Sequence, residues 1–282
     1  MTGSNGLFGH ALTLVFGERH EAVALTRRDF DLTDHQRMRS VLLHLRPQLI
    51  VHPAGIPDID LCEREPELAY AVNTEATKAL AELAQEIGAA LAYISTDAVF
   101  DGKKSSPYVE SDPTDPPSVY GRTKLLGEQA VKKIPQHWIF RVSVLFGPGK
   151  TNFVEKGLRA LSAGKDYVVA ADQVGSATYT SDAARKILEV IESRRFGLYH
   201  LSNQGACSRL GLAVAAAELA GLDKSKVIGK SSDQMGRIGP RLKYAVMEMN
   251  ALQAAGFALP RPWQEALDEY VGSLKQAGTV KL

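Results

Sequence analysis

TGSNGLFG, residues 2–9, is a glycine run of the form G-x-x-G-x-x-G that leads into a short helical pattern, GHALTLVF, at residues 9–16. Glycines at 3, 6 and 9 let the backbone turn tightly and approach a pyrophosphate. The helix start behind them offers free N–H groups and a partial positive charge. Taken alone, the run is equally well a series of turns. Its context decides, because residues 22–26 (AVALT) read as a strand, and loop, helix, strand is the order a dinucleotide-binding unit needs. Such a loop follows a central strand, yet only Met1 and Thr2 precede Gly3. The expectation is a truncated first strand, or another segment in its place, with sheet ladders left open on both sides.

Outward from this loop, helical and strand patterns alternate. Residues 33–45 carry an N-cap Thr and an apolar stripe at Met38, Val41, Leu42 and Leu45, stopped by Pro47. Residues 49–52 (LIVH), 90–95 (ALAYIS) and 139–146 read as apolar strands. Residues 66–87 form a long Ala-rich helix closed by Gly88, and 119–134 another. Residues 103–118, with four prolines among Ser and Asp, are a loop. Strands separated by helices imply right-handed βαβ crossovers and a parallel sheet covered on both faces. Beyond Gly147 the pattern loosens. Helices are expected at 153–161, 181–193, 210–222, 245–255 and 263–274, a strand at 198–202, and a polar glycine-rich loop at 229–241. The fold class is α/β: a Rossmann-like, doubly wound parallel sheet with a smaller α/β substrate-binding lobe. The division predicted is 1–146 with 175–202 for the cofactor, and 147–174 with 203–282 for the substrate.

Composition narrows the function. The chain has 282 residues and a net charge of +1, which gives no support to nucleic-acid binding or a polybasic membrane anchor. No apolar run is long enough to span a bilayer, and the N-terminus lacks a secretory pattern. Cys62 and Cys207 form no disulfide framework and suit a reducing cytoplasm, the expected location. The seven histidines show no metal-ligand spacing, so no metal is expected.

The cofactor residues follow from the glycine run: Gly3, Asn5, Gly6, Leu7, Phe8 and Gly9. The second strand ends at Thr26-Arg27-Arg28. An acid at this point suits the ribose 2′-OH of NAD, and an arginine suits a 2′-phosphate, so Arg27 favours NADP(H), with NAD(H) the alternative. A solvated strand end is the bland reading of the same pair. Asp31 and Leu32 lie near the adenine side. Ala54 and Gly55 follow the next strand, where small residues admit a cofactor or simply form a turn. Tyr120 and Lys124 stand at i and i+4 on one predicted helix, which puts both on one face. A phenol titrates near about 10, and a neighbouring ammonium stabilises its anion. This pairing by itself is common on surface helices. Ser95-Thr96-Asp97 ends a predicted central strand, the place where ligands sit in such sheets and where a Thr hydroxyl can reach a carbonyl oxygen. A strand-end turn capped by Thr and Asp is the alternative there.

Together these residues resemble the extended short-chain dehydrogenase/reductase family, and within it the dTDP-4-dehydrorhamnose reductase branch. The matching stretches are TGSNGLFG (2–9), DLTD (31–34), AYAVN (69–73), STDAVFDG (95–102), PYVESDPTDPPSVYGRTKLLGE (107–128), FRVSVLFG (140–147), NF (152–153), DQVGSATYTSD (172–182) and RPWQEAL (261–267). The resemblance implies a reductase of the C4 keto group of a nucleotide-linked deoxy sugar, with Thr96, Tyr120 and Lys124 as catalytic trio. Tyr120 and Lys124 would also touch the cofactor. Thr96, Asn152 and Gln173 would contact the nucleotide sugar, and Asn73 would pack behind the active-site strand. Family members are often dimers, which implies a homodimer. Two departures stand out. Ala98 follows Asp97 where related dehydratases have Glu, which argues against water loss, and Val144 follows Arg141-Val142-Ser143 where the branch often has a sugar-packing Trp. Rival readings are a catalytically silent NADP-binding regulatory subunit, resembling the β subunit of methionine adenosyltransferase, and a nucleotide-sugar epimerase on the same scaffold.

Overall fold

The computed structural model describes residues 1–278. In chain order its elements begin α1 (Leu7–Gly17), α2 (His35–Leu45), β1 (Leu49–His52), α3 (Ile59–Arg64), α4 (Pro66–Tyr70), α5 (Ala76–Ile87), β2 (Ala90–Thr96), α6 (Val119–Val131) and β3 (His137–Val142). There follow β4 (Leu145–Phe146), α7 (Phe153–Ser162), β5 (Tyr167–Ala170), β6 (Val174–Ser176), β7 (Thr178–Tyr179), α8 (Thr180–Glu192) and β8 (Gly197–His200). The chain ends in β9 (Ala206–Ser208), α9 (Arg209–Ala220), β10 (Val227–Lys230), β11 (Tyr244–Ala245), α10 (Asn250–Ala254) and α11 (Trp263–Gln276).

The main sheet is parallel, in the order β1-β2-β3-β8. Alternation along its strands sends side chains to two helical layers. Ala92, Ile94, Trp138 and Phe140 face α1 and α8, through Leu12, Val15, Ile187 and Ile191. Leu91, Tyr93 and Ile139 face α2 and α5, through Met38, Leu42, Leu80 and Ala84. Burying both faces is what doubly wound crossovers achieve. A separate apolar cluster of Phe146, Leu158, Tyr179, Leu212, Trp263 and Tyr270 joins α7, α9 and α11 around the short β4–β7 pair.

Four expectations are corrected. Residues 22–26 are not an assigned strand. The first four residues take the central position between them and β1, through Thr2 N–H to Val51 O (3.1 Å), Leu25 N–H to Met1 O (2.8 Å) and Ser4 N–H to Leu25 O (3.1 Å). So short a partner gives residues 22–26 too few ladder bonds for a strand. The helix expected at 66–87 is interrupted by a π-turn at Ala71–Glu75, which inserts one residue and turns Asn73 inward. The strand expected at 139–146 splits after Val142, and β4 leaves the main sheet to pair with β7. The loop expected at 229–241 is partly ordered, by the end of β10 and a 3-10 turn at Ser232–Met235.

Candidate active site

The glycine run is built as an anion cradle. Gly3 adopts left-handed backbone (φ +56), a conformation side chains rarely allow. A methyl group at Gly9 would collide with the Gly3 carbonyl oxygen. The first turn of α1 has Gly6 as N-cap, no capping side chain and no acidic residue. Its amide donors and the helix dipole are thus open to a phosphate, and the site fits a dinucleotide. The side chain of Phe8 points into the core instead, so only its backbone serves the cradle. Asn5 is exposed and Leu7 half-buried at the rim. His52 fixes the loop from below. Its Nδ1 meets Thr2 Oγ1 at 2.7 Å and its Nε2 meets Thr77 Oγ1 at 3.2 Å. Thr77 already donates to Asn73 O (2.8 Å), so His52 must donate from Nε2 and accept from Thr2 at Nδ1. Burial lowers the His52 pKa to about 3, which keeps the ring neutral.

On the adenosine side, Arg27 and Arg28 are exposed and enter no salt bridge among the described residues. Asp29 closes the turn that carries them by accepting from Thr26 N–H (2.8 Å) and Oγ1 (3.0 Å). The Asp31 carboxylate is engaged by Thr33 N–H (2.9 Å) and Oγ1 (2.7 Å), bonds that hold its pKa below the usual range. Leu32 packs at the edge of two apolar clusters. Ala54 sits against Gly3, where a side chain on the glycine would strike it. Gly55 lies against Asn73, which is 1 % exposed. Asn73 accepts from Ile56 N–H (2.8 Å) and donates to Ile56 O (3.2 Å) and Thr123 Oγ1 (3.1 Å). One amide thereby ties the loop after β1 to the helix that carries Tyr120 and Lys124.

Thr96 ends β2, and its hydroxyl accepts from Ala98 N–H (3.1 Å) and donates to Asp97 (2.9 Å). Ser118 caps α6 by accepting from Gly121 N–H at 3.0 Å, and this sets the helix that presents Tyr120. Burial pushes the Tyr120 phenol well above its ordinary range, opposed by a hydrogen bond with Thr96 and reinforced by the charge of Asp97. Thr96 and Tyr120 thus lie near each other at the end of β2. Lys124 is on the same helix face but turned differently. Its ammonium donates to Ile94 O at 2.7 Å and lies 4.0 Å from the Tyr93 ring centroid. Desolvation lowers its pKa to about 7, partly offset by Glu128. Among the charges acting on Tyr120, Lys124 does not figure, because the strand carbonyl and the Tyr93 face hold its ammonium.

Beside this group lies a cavity. Its wall includes Asp97, Ala98, Ser118, Ser143, Gln173 and Arg209. Thr96 and Tyr120 do not line it, but are close in sequence to Asp97 and Ser118, which do. Val144 lines it where the related branch often carries Trp. Asp97 is held by Ser143 Oγ at 2.5 Å, and burial raises its pKa. Gln173 lines the cavity, whereas Asn152 does not. Asn152 caps α7, accepting from Val154 N–H (3.1 Å) and donating to Gly147 O (2.8 Å) and Tyr270 OH (2.7 Å). Sequence reading did not single out Arg209, Arg237 or Ser143. Arg209 opens an Ala-rich helix and Arg237 sits in a glycine-rich loop, so neither carries a local signal.

Fold and site define a class: dinucleotide-binding α/β proteins of the extended short-chain dehydrogenase/reductase type. The family described as RmlD substrate binding domain matches residues 1–276, and the chain belongs to that family. It is 36% identical over 273 residues to the spore coat polysaccharide biosynthesis protein SpsK of Bacillus subtilis, covering 96% of this chain and 95% of that one. It is 37% identical over 278 residues to a dTDP-4-dehydrorhamnose reductase of Streptomyces griseus, covering 95% and 91%. Among solved structures, a dTDP-4-dehydrorhamnose reductase from Bacillus anthracis in complex with NADP superposes with a TM-score of 0.93 at 32% identity, over 96% and 97% of the two chains. Among the described residues no helix is long and apolar enough to cross a membrane.

Proposed function

We propose that this chain is an NADPH-dependent reductase of the C4 keto group of a nucleotide-linked deoxy sugar. The observation that carries the reading is the nearness of Thr96 and Tyr120 at the carboxyl end of β2, beside the cavity-lining Asp97 and Ser118 in sequence and on the sheet edge that the glycine cradle also serves. Close relatives with this reductase name and the NADP-bound structure of one of them support it.

NADPH, when bound, would supply the hydride for the carbonyl carbon. Gly3 to Gly9 would hold its pyrophosphate, Arg27 its 2′-phosphate, and Ala54 and Gly55 would leave room beside it. Tyr120 is protonated at neutral pH because burial disfavours the phenolate, so it is in the form needed to give a proton to the developing alkoxide. Thr96 turns its hydroxyl from Asp97 to the same oxygen, and stabilises the charge that builds there. Lys124 uses one N–H on Ile94 O, which leaves its remaining donors for the ribose of the cofactor. Residues 147–174 and 203–278 form the sugar-nucleotide lobe (279–282, also assigned to it from sequence, lie outside the described residues), with Gln173 as a substrate contact and Asn152 shaping the lobe through the α7 cap. The protein works as a homodimer in the cytoplasm.

The test is net consumption of NADPH in the presence of a dTDP-4-keto-6-deoxy sugar. Stoichiometric loss supports the reading. Tight NADPH binding without turnover overturns it in favour of a regulatory subunit, and inversion of the sugar without net consumption overturns it in favour of an epimerase.

A further inference from the structure

The main sheet continues past β1, through the first four residues, to residues 22–26. These bond inward, by Leu25 N–H to Met1 O (2.8 Å) and Ser4 N–H to Leu25 O (3.1 Å). Backbone groups alternate in direction along an extended chain, so Ala22 and Ala24 turn theirs outward. Among the described residues, the N–H and C=O of both alanines enter no hydrogen bond. Sheet edges are normally blunted by lysine, proline, a bulge or a covering segment. The run AVALT holds neither charge nor proline, Ala24 is exposed, and Val23 is 39% exposed. Beside it a cavity opens towards α2, and its apolar lining is Val23, Ala24, Leu25, Val41 and Leu45.

The charges that flank this edge say what fits it. Glu18 and Glu21 precede it, and Arg27 and Arg28 follow it. All four are exposed, and among the described residues none enters a salt bridge. A second copy laid antiparallel along the edge sets the acidic end of each against the basic end of the other. A parallel approach sets like charges together. The edge is thus complementary to itself, which is what a two-fold interface requires.

We infer that residues 22–26 pair edge to edge, antiparallel, with the same residues of a second copy, and that the two main sheets join across an axis at Val23. Ala22 then faces the copy's Ala24, and Ala24 faces its Ala22. Each of these pairs exchanges both of its N–H···O bonds. The two Val23 side chains meet on the α2 face, where opposed side chains of a non-hydrogen-bonded pair come closest, and cover the cavity mouth. Asp29 already takes the Thr26 N–H, so the ladder ends there. This names the surface of the homodimer proposed above and rests on that reading.

Sedimentation of the full chain at micromolar concentration tests this. Wild type is expected to run as a dimer. Val23→Lys brings two ammonium groups together on the axis and is expected to weaken self-association by roughly 100-fold, with circular dichroism and NADP affinity as in wild type. Ala24→Pro removes an outward N–H and is expected to weaken it as well. If the proline variant is unfolded, Val23→Lys still decides. Glu21→Lys and Arg28→Glu are each expected to weaken association by roughly 10-fold, and the double variant, which reverses both charges, is expected to restore it. A merely structural role for either residue gives no such rescue. Monomeric wild type overturns this interface together with the homodimer, and leaves the edge to a strand of another protein. A dimer that Val23→Lys and Ala24→Pro leave intact overturns this interface and keeps the homodimer on another face. A double variant that stays as weak as the single ones overturns the antiparallel pairing.

Discussion

Glu128→Gln takes one charge out of an ion pair that water does not reach. Glu128 and Arg141 side chains are 0% and 2% exposed. The carboxylate accepts from Ser95 Oγ (2.6 Å), Arg141 Nε (2.9 Å) and Arg141 Nη2 (2.8 Å). Glutamine keeps the shape but sets an amide NH2 where an oxygen faced the guanidinium, and Arg141 Nη1 already lacks a partner. Leaving one member of a buried pair uncompensated costs about 3–5 kcal/mol, so urea unfolding should show that loss with an unchanged slope. A second effect reaches the active site. Glu128 lies one turn from Lys124 and raises its pKa against desolvation. Without that charge, the Lys124 pKa falls below about 7 and less ammonium remains at neutral pH. The falling limb of kcat/KM against pH should therefore move to lower pH. Stability within about 0.5 kcal/mol of wild type, the range of an innocuous surface change, would refute the energetic part. A stationary pH limb in a folded variant would refute the coupling to Lys124.

Further outcomes follow from the same geometry. Tyr120→Phe should lower kcat by roughly 10²–10⁴, the usual worth of a positioned acid, with NADPH affinity retained in a fluorescence titration; wild-type turnover would remove Tyr120 from the mechanism. Arg27→Asp should shift the ratio of kcat/KM towards NADH, and an unchanged ratio would place Arg27 outside the cofactor site. Lys124→Met should remove a pH dependence of stability. Burial lowers the pKa of folded Lys124 to about 7 while the unfolded lysine keeps its ordinary 10.5, so between these the unfolded state holds more protons and wild-type stability rises with pH. The variant should be more stable by about 1–3 kcal/mol at pH 7 and lose that rise, because a desolvated ammonium is gone. Parallel wild-type and variant curves would contradict it.

Much of this site was legible in the chain because its signals are local. The glycine cradle depends on backbone that only glycines at 3 and 9 permit, and the i, i+4 spacing of Tyr120 and Lys124 fixes their shared face. Thr96 was placed by the end of an apolar strand. What escaped depends on partners distant in sequence. Residues 22–26 look like a strand, but their ladder depends on the four residues at the start of the chain. The inward turn of Asn73 arises from a π-turn inside a regular apolar pattern. Lys124 is directed by Ile94 O and the Tyr93 ring, which no spacing rule on its own helix contains. Arg209 gains its place on the cavity wall only when α9 folds beside Gln173, since it belongs to an unremarkable local pattern.

Deuterium transfer tests the central claim most directly. NADPH carrying deuterium on the transferred face of its nicotinamide C4 is incubated with the full chain and a dTDP-4-keto-6-deoxy sugar, and the sugar is read by NMR. Hydride delivery to the carbonyl should put one deuterium on C4, with loss of one equivalent of reduced cofactor, and Tyr120→Phe should slow its appearance. A sugar that keeps its keto group, or a C4 hydrogen drawn from solvent, would contradict the account.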